Sequence, residues 1–593
     1  LAGQVKQQTP ILVILGNPPY SGHSTNTGDW IRGLIETYKQ VDGKPLGEKN
    51  PKWLQDDYVK FLRFAQWKIE QAGCGVVGMI TNHGYLDNPT FRGMRRSLMQ
   101  TFDDIYVLDL HGNTLKKETC PDGSPDKNVF DIRPGVAIAF FIKRGGKTKS
   151  DAVVRHAELY GARESKYTWL DKHDAKKTRW RKLAPRTDSY LFIPRDESAL
   201  RVYERFLSIP DIFPLNSVGI VTARDNLTIQ WSAQDVWHTV NLFAKSDPEL
   251  ARRSYQLGKD SKDWKVTLAQ QDILDSGPSR DKVVPILYRP FDVRHTYYTG
   301  RSSGFICRPR PEVMQHMLAG ENLALATTRN VEIGVGYQHA FCTTTLVQHH
   351  SVSLKEVNYL FPLYLYPEPK PERPEKNKAG VGRYVSMMLF EPKELYGARQ
   401  PNLNAAIVGA LAAAYGKAPT PESIFHYVYA VLYAPTYRTK YAEFLKMDFP
   451  RIPFTSDAKL FKRLAALGEK LVALHLLKSC DLDPPTCRFE GDGNNRVEKD
   501  RKTGLRYDAD KKRVYINAAQ YFAPVPEAIW NYQIGGYQVC EKWLKDRRER
   551  RLELDDIRAY CRIVTALGKT IELQDEIDAI YPAAEKQTVV MPR

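Results

Sequence analysis

The 593-residue chain contains no C-x-x-C pair, no His spacing that would complete a zinc site, no internal repeat and no low-complexity tract. Its eight cysteines (74, 120, 307, 342, 480, 487, 540 and 561) are scattered, which argues against a zinc site or disulfide framework and reads as the reduced thiols of a cytoplasm. Only Cys480 and Cys487 are spaced to bridge a short loop. Long apolar runs are missing as well: ILVILG and VAIAFFI are far too short to span a bilayer, and nothing resembles a secretory signal. There is no Walker-type phosphate loop and no nuclease constellation. Acidic residues fall short of basic ones, 69 against 86, which leaves a formal charge of +17 interleaved with 32 Tyr and 10 Trp. That balance suits a polyanionic partner without naming one. Together these features bound a soluble, intracellular protein, without a membrane partner, long enough for three or four units of ordinary domain size.

The first 150 residues alternate apolar runs with amphipathic stretches, the pattern of half of a doubly wound α/β domain. ILVIL is its first strand. WLQDDYVKFLRFAQWKIEQAG follows as a helix, with Leu54, Tyr58, Phe61, Leu62, Ala65 and Ile69 at helical spacing and Gly73 as the stop. GVVGMIT (75–81), DIYVLDL (104–110) and GVAIAFFIK (135–143) read as further strands, with a second helix from Pro89 to Met99. The charged, lysine-rich stretch 151–190 is expected to link units, and 191–366 carries many short β-type runs between Gly, Pro, Asn and Arg. PEPKPERPEKNKAG (367–380) is a Pro- and charge-rich linker, and 381–593 is mainly helical, with FEGDGNN (489–495) as a surface loop.

One motif carries chemistry. Asn17, Pro18, Pro19 and Tyr20 end the first strand, at the carboxyl edge where open α/β sheets place their ligands. An exocyclic base amine is a poor nucleophile, so an enzyme must favour the pyramidal, partly cationic nitrogen of the transition state. Two acceptors aimed at the N–H bonds do this: the Asn17 side-chain oxygen, and the Pro18 carbonyl, which is steered by fixed prolyl φ angles. Tyr20 supplies a flat surface for the base, and such stacking is worth roughly 1 to 3 kcal/mol.

NPPY after a strand resembles the catalytic motif of the S-adenosylmethionine-dependent amino-methyltransferases, above all the adenine-specific DNA enzymes. ITNHGYLDNPTFRGMRRSL, KNVFDIRPGVAIAFFIK, LYRPFDVRHTYYTGRSSGFICRPRPEVMQHML, VYAVLYAPTYRTKYAEFLKMDFPRIPF and IGGYQVCEKWLKDRRER are similar to the methyltransferase and target recognition regions of single-polypeptide Type I (Type ISP) restriction–modification enzymes. The resemblance implies a prokaryotic cytoplasmic enzyme that methylates N6 of a flipped adenine in double-stranded DNA, with Phe130 stacking opposite Tyr20 and no metal in that step. It implies a fold in which residues 1–150 are the C-terminal half of a Rossmann-like methyltransferase sheet, followed by an α+β target recognition domain whose end is helical. Cytosine enzymes of this type more often resemble a Ser-Pro-Pro form, so Asn17 favours adenine. The family's Gly-rich cofactor loop has no counterpart near Asn17, so the donor site is expected in residues upstream of Leu1, with helicase and nuclease regions on the same polypeptide. The alternatives are a non-catalytic DNA-recognition subunit that relies on another segment for the donor, or an RNA or protein-glutamine methyltransferase.

Sequence readout needs donors and acceptors for base edges, and Arg, Asn and Gln provide most of them. The candidates are Arg224, Asn226, Arg301, Ser302, Arg308, Arg310, Arg329 and Gln348. YRPFDVRHTYY reads equally as a packed Tyr/Arg ladder or a DNA-facing surface, and KDRRERR as a solvated helix face or a backbone clamp. His349 and His350 lack acidic neighbours for a metal.

Overall fold

ILVIL forms a short edge strand, β1 (Val13–Gly16), that runs parallel to β2 (Gly75–Asn82). Two glycines allow the close approach: a Cβ on Gly75 would lie 2.5 Å from the Leu12 carbonyl oxygen, and one on Gly78 would lie 2.8 Å from Leu15 Cδ2. A computed structural model describes residues 10–22, 24–47, 52–116, 118–146, 150–185, 189–194, 199–331, 336–367, 399–500 and 503–591. The linker expected at 367–380 lies outside these residues apart from Pro367. The chain divides into two units, residues 1–197 and 198–593.

In unit 1, α1 (Asp29–Glu36), α2 (Asp57–Ala72) and α3 (Arg92–Thr101) accompany the strands. Then come β3 (Asp104–Asp109), β4 (Val136–Lys143), β5 (Val153–Glu158), α4 (Arg163–Lys172) and the two-residue β6 (Arg181–Lys182). The six strands lie in the order β1-β2-β4-β3-β5-β6. The sheet is mixed: β1 with β2 and β3 with β5 are parallel, while β4 runs antiparallel to both its neighbours. Residues 151–190, expected as a linker, instead continue this sheet. The lysines and arginines that suggested a linker flank β5, whose Val154 and His156 are buried while Arg155 pairs with Asp104 at 2.6 Å. Alternate residues of β2 serve different cores, as strand geometry requires. Met79 joins the larger cluster with Leu62 and Ile69, and Ile80 packs on a smaller one formed by Leu108, Leu110, Val129 and Val136.

Unit 2 is built around one large apolar cluster. Helices α5 (Ala233–Lys245) and α6 (Val266–Asp275) precede the hairpin of β7 (Val283–Arg289) and β8 (Asp292–Tyr297). A second four-stranded sheet contains β9 (Ala324–Thr328), β10 (Ala340–Thr343) and β11 (Asn358–Pro362). The helical end centres on α7 (Pro421–Tyr433), α8 (Ala458–His475) and the 33-residue α9 (Leu554–Lys586). α7 and α8 cross so closely at Gly468 that a Cβ there would lie 1.9 Å from the His426 carbonyl oxygen. A four-stranded sheet, including Arg488–Glu490 and Tyr521–Ala523, interrupts the expected helical run, and FEGDGNN leaves its first strand. All eight cysteines are free thiols, Cys480 exposed and Cys487 buried. Among the described residues no helix is long and apolar enough to cross a membrane.

His475 is buried between the Tyr429 hydroxyl, 2.6 Å from Nδ1, and Thr570 Oγ1, 3.0 Å from Nε2. Burial pushes its pKa down to about 3, and that of His339 down to about 4. Both imidazoles are therefore neutral in the folded state but titrate near 6.5 in the unfolded chain, which binds the extra protons as pH falls. Each ring then removes stability at a rate on the order of 1.4 kcal/mol per pH unit between pH 6.5 and its folded value. The urea midpoint of unfolding, followed by circular dichroism, is expected to drop between pH 6.5 and 5; an unchanged midpoint contradicts neutral burial.

Candidate functional site

The Asn17–Tyr20 turn leaves the carboxyl end of β1 with Asn17 and Pro19 exposed and Pro18 buried. Among the described residues none bonds to the Asn17 amide, which is left exposed. Tyr20 is half-buried: its ring meets Tyr58 edge-on at 6.0 Å and also packs against the small cluster around Leu108 and Val136. Its hydroxyl is buried without a hydrogen-bond partner. Burial, and then the charge of Asp56, hold that phenol well above the ordinary tyrosine value. Asp56, at the N-cap of α2, anchors the chain just beyond the motif by accepting the Ser21 and Gly22 N–H groups, each at 3.1 Å. Burial raises the Asp56 carboxyl above its usual range.

Phe130 packs on the same small cluster as Tyr20. A buried polar frame holds the loop that carries it. Asn128 Oδ1 accepts the Phe130 N–H at 2.9 Å, Asn128 Nδ2 donates to Pro134 O at 2.7 Å, and Arg163 donates to the Phe130 carbonyl at 3.0 Å. Gly112, at φ +79°, approaches Asn128 so closely that a Cβ would lie 2.4 Å from its Cα. Further in, Asp126 accepts the Gly112 N–H and pairs with the fully buried Lys166 at 2.8 Å.

At the ends of β2 and β3 sits a cluster that sequence reading missed. His83 Nδ1 lies 3.0 Å from Asp109 Oδ1, which also accepts the His111 N–H at 2.9 Å. Burial would raise the Asp109 carboxyl, but its contacts with His83 and then His111 hold it well below the usual carboxylate range. Glu118 completes the group. Its members are spread over 36 residues of sequence without a metal-type spacing, so no local signal marks them.

The sequence also contains a single G-x-G-x-x-G run, Gly73 to Gly78. It leads from the C-cap of α2 into β2, whereas a phosphate- or nucleoside-cradling loop leads from a strand into a helix. Gly73 caps α2, and Gly75 and Gly78 serve the packing of β1 on β2 instead, so this run does not fit the methyl donor.

In unit 2 the eight candidate readers separate by environment. Ser302, Arg308 and Arg310 line one cavity of about 270 Å³ together with Asp263 and Glu312. Arg308 pairs with Asp263 at 3.0 Å, and Arg310 Nε is buried without a hydrogen-bond partner. Arg301 and Arg329 are exposed and paired with Asp275 and Asp448, at 2.7 and 2.8 Å. Asn226 is exposed. Arg224 holds the Leu257 and Lys259 carbonyls and lies over Trp264. Gln348 is buried, its Oε1 accepting the His350 N–H at 2.7 Å, which leaves no route to a base edge. His349 and His350 turn their Nδ1 atoms to the Ile220 and Glu356 carbonyls.

The two tracts left open in the sequence converge. Asp292 of β8 is buried and accepts from Arg294 at 2.8 Å and from Arg547, within KDRRERR, at 3.1 Å. Trp231 is ringed by the guanidinium groups of Arg294, Arg550 and Arg547, at 3.7, 4.2 and 4.7 Å from its ring centre. YRPFDVRHTYY is therefore a packed Tyr/Arg ladder at this point. Arg547 is its buried anchor, while Arg548, Arg550 and Arg551 stay exposed on a turn beyond the helix Val539–Lys545.

The family model for the Type ISP C-terminal specificity domain matches residues 211–576. The chain belongs to that family. The Type ISP specificity region thus occupies nearly all of unit 2, including Trp231, Asp292, Arg547 and the cavity at Arg308. Solved structures similar to the whole chain are the ATP-dependent Type ISP restriction–modification enzyme LlaBIII bound to DNA (20% identity, 96% of this chain and 37% of that one, TM-score 0.71), the DrdV–DNA complex (22%, 97% and 58%, TM-score 0.69), and a nuclease-deletion mutant of the Type ISP enzyme LlaGI with a DNA substrate mimic (20%, 97% and 53%, TM-score 0.67). The chain spans between 37% and 58% of their lengths, and at these identities the likeness is one of fold. No curated protein matches.

Proposed function

We propose that this chain is the DNA-recognising and base-holding portion of a restriction–modification enzyme that methylates N6 of adenine in duplex DNA. The observation that carries the reading is the exposed, unbonded Asn17 just before Tyr20 at the carboxyl end of β1, with Tyr20 and Phe130 resting on one small apolar cluster. Asn17 and the Pro18 carbonyl hold the amine and favour its pyramidal form, while Tyr20 and Phe130 take the ring between them. S-adenosylmethionine would supply the methyl group when bound, and Asn17 and the Pro18 carbonyl would hold the N–H bonds of the amine that receives it. The described residues do not fit that donor, so its pocket belongs to chain outside these residues. The apolar Leu12, just before β1, and Val13 and Leu15 within it, 49%, 61% and 74% exposed, support a further sheet segment there.

Unit 2 reads the target. The DNA in the complexes of related enzymes and the excess of basic residues support this, and the cavity of Ser302, Arg308 and Arg310 fits a phosphate or a base edge. Plasmid DNA from cells expressing the full-length protein is expected to contain N6-methyladenine at one asymmetric or symmetric sequence, detected by mass spectrometry and sequencing. Unmethylated adenine throughout, from a folded protein, excludes the reading.

The double variant Arg308→Ala, Arg310→Ala is expected to weaken DNA binding and to flatten the slope of log affinity against log salt by about 2 if both arginines contact phosphates. If one of them reads a base, specificity at that position relaxes instead, with a loss of roughly 1 to 3 kcal/mol. Fluorescence anisotropy across a salt series separates the two outcomes.

A further inference from the structure

We infer that His83, His111 and Glu118 of unit 1 form a site for one divalent transition-metal cation such as zinc, with Asp109 orienting His83 and offering an oxygen as a fourth ligand. One ligand atom from each of the three lies within 4.8 Å of the others. The individual gaps are informative. Glu118 Oε1 is 3.9 Å from both His83 Nε2 and His111 Nδ1, and Asp109 Oδ2 is 3.7 Å from His111 Nδ1. Complementary atoms that face each other in a buried pocket normally close to hydrogen-bond distance; these separations are too long for one. They sit just above the roughly 3.4 Å that separates two ligands of a tetrahedral ion with bonds of about 2.1 Å.

The proton arrangement points the same way. Asn113 Oδ1 accepts the Lys116 N–H at 3.0 Å, which fixes the amide with its Nδ2 donor 3.0 Å from His83 Nε2. Nε2 thus faces a donor as an acceptor would, while Nδ1 faces the Asp109 carboxylate. This is the carboxylate–histidine arrangement that orients a metal-binding imidazole. Asp109 and Glu118 place two carboxylates against two imidazoles in this pocket, and Lys116 Nζ is engaged by Asp87 at 3.0 Å. A divalent cation neutralises that pair where a neutral pocket would not. His111 adds a second buried ring, stacked on Tyr160 at 3.9 Å with its Nε2 free of any hydrogen bond, so no competing bond selects its tautomer. Such an ion ties the start of the 110–135 loop, which carries Phe130, to the end of β2. On binding, the cation takes the His83 lone pair from Asn113, whose amide turns away.

The test is metal uptake by the intact chain. After chelator treatment and equilibration with zinc at micromolar free concentration, elemental analysis is expected to find one zinc per chain, and cobalt(II) in its place should give the intense visible bands of a low-coordinate N/O site. His111→Ala and Glu118→Gln should each lower the affinity roughly tenfold or more and remove those bands, whereas Asn113→Ala should retain or strengthen binding. Circular dichroism confirms that the variants fold, and the cobalt spectrum of the unaltered chain stands independently of them. Failure of the unaltered chain to take up metal, or uptake that His111→Ala and Glu118→Gln leave unchanged, overturns the proposal in favour of a purely hydrogen-bonded pocket.

Discussion

Asn17→Ala in the full-length enzyme is expected to lower the rate of methyl transfer by roughly 100- to 1,000-fold, the range seen when one preorganised polar group facing a developing charge is deleted. Asn17 is exposed, is bonded to none of the described residues and lies outside the apolar clusters, so its removal leaves folding stability almost unchanged. On the proposed role the loss falls on the chemical step, because the amide would meet only the amine of an already extruded base. DNA affinity should therefore change little. Single-turnover transfer of a labelled methyl group to duplex DNA, with affinity measured in parallel, checks both halves of this expectation. A variant that methylates at near-normal rate removes the assigned role of the motif. Tyr20→Ala differs in kind: it removes a stacking surface worth roughly 1 to 3 kcal/mol and part of the packing against Tyr58 and the Leu108 cluster, so both base capture and stability should suffer.

The second large effect concerns Asp292. Its carboxylate is buried and bridges Arg294 and Arg547, whose guanidinium groups also flank Trp231. Asp292→Ala leaves two guanidinium groups without their shared anion in a largely dry setting, a change that typically costs about 3 to 5 kcal/mol. Asp292→Asn keeps the shape and some of the hydrogen bonds and should lose less. Burial would raise the Asp292 carboxyl, but Arg547 and Arg294 hold it below the usual aspartate value. A group whose folded pKa is depressed contributes its stability above the unfolded pKa and surrenders it as pH falls through the folded one. The pair therefore acts at full strength at neutral pH and weakens only below the ordinary aspartate range near 3.9. The neutral histidines weaken the fold at higher pH, so the two contributions separate in an acid titration: an early loss that persists in Asp292→Ala, and a later one that is missing from it.

These two residues show what could be read from the chain and what could not. The turn at Asn17 was legible because Asn-Pro-Pro-Tyr is a contiguous run that stops an apolar strand, and the structure ends β1 there. Asp292 and Arg547 are 255 positions apart. Each sat in a recognisably unusual tract, but only the packed structure brings the tracts together and buries the pair. Gln348 went the other way: an amide suited to reading adenine by type is buried in the fold, with its acceptor taken by the His350 N–H. The stretch 151–190 was misleading because charge reports solvent exposure along most of its length, whereas three alternate buried positions, Ala152, Val154 and His156, are enough for β5 to enter a sheet.

By itself, the sequence determined the strand periodicities, the position of the NPPY turn, the basic charge and the family of the second unit, since each is carried by neighbouring residues or by composition. The tertiary structure decided which arginines face solvent and which are neutralised inside, set the mixed order of the first sheet, and brought His83, Asp109, His111 and Glu118 into one pocket. Contacts of that kind join residues tens to hundreds of positions apart. Their energy depends on burial and mutual geometry, and neither exists until the chain has folded.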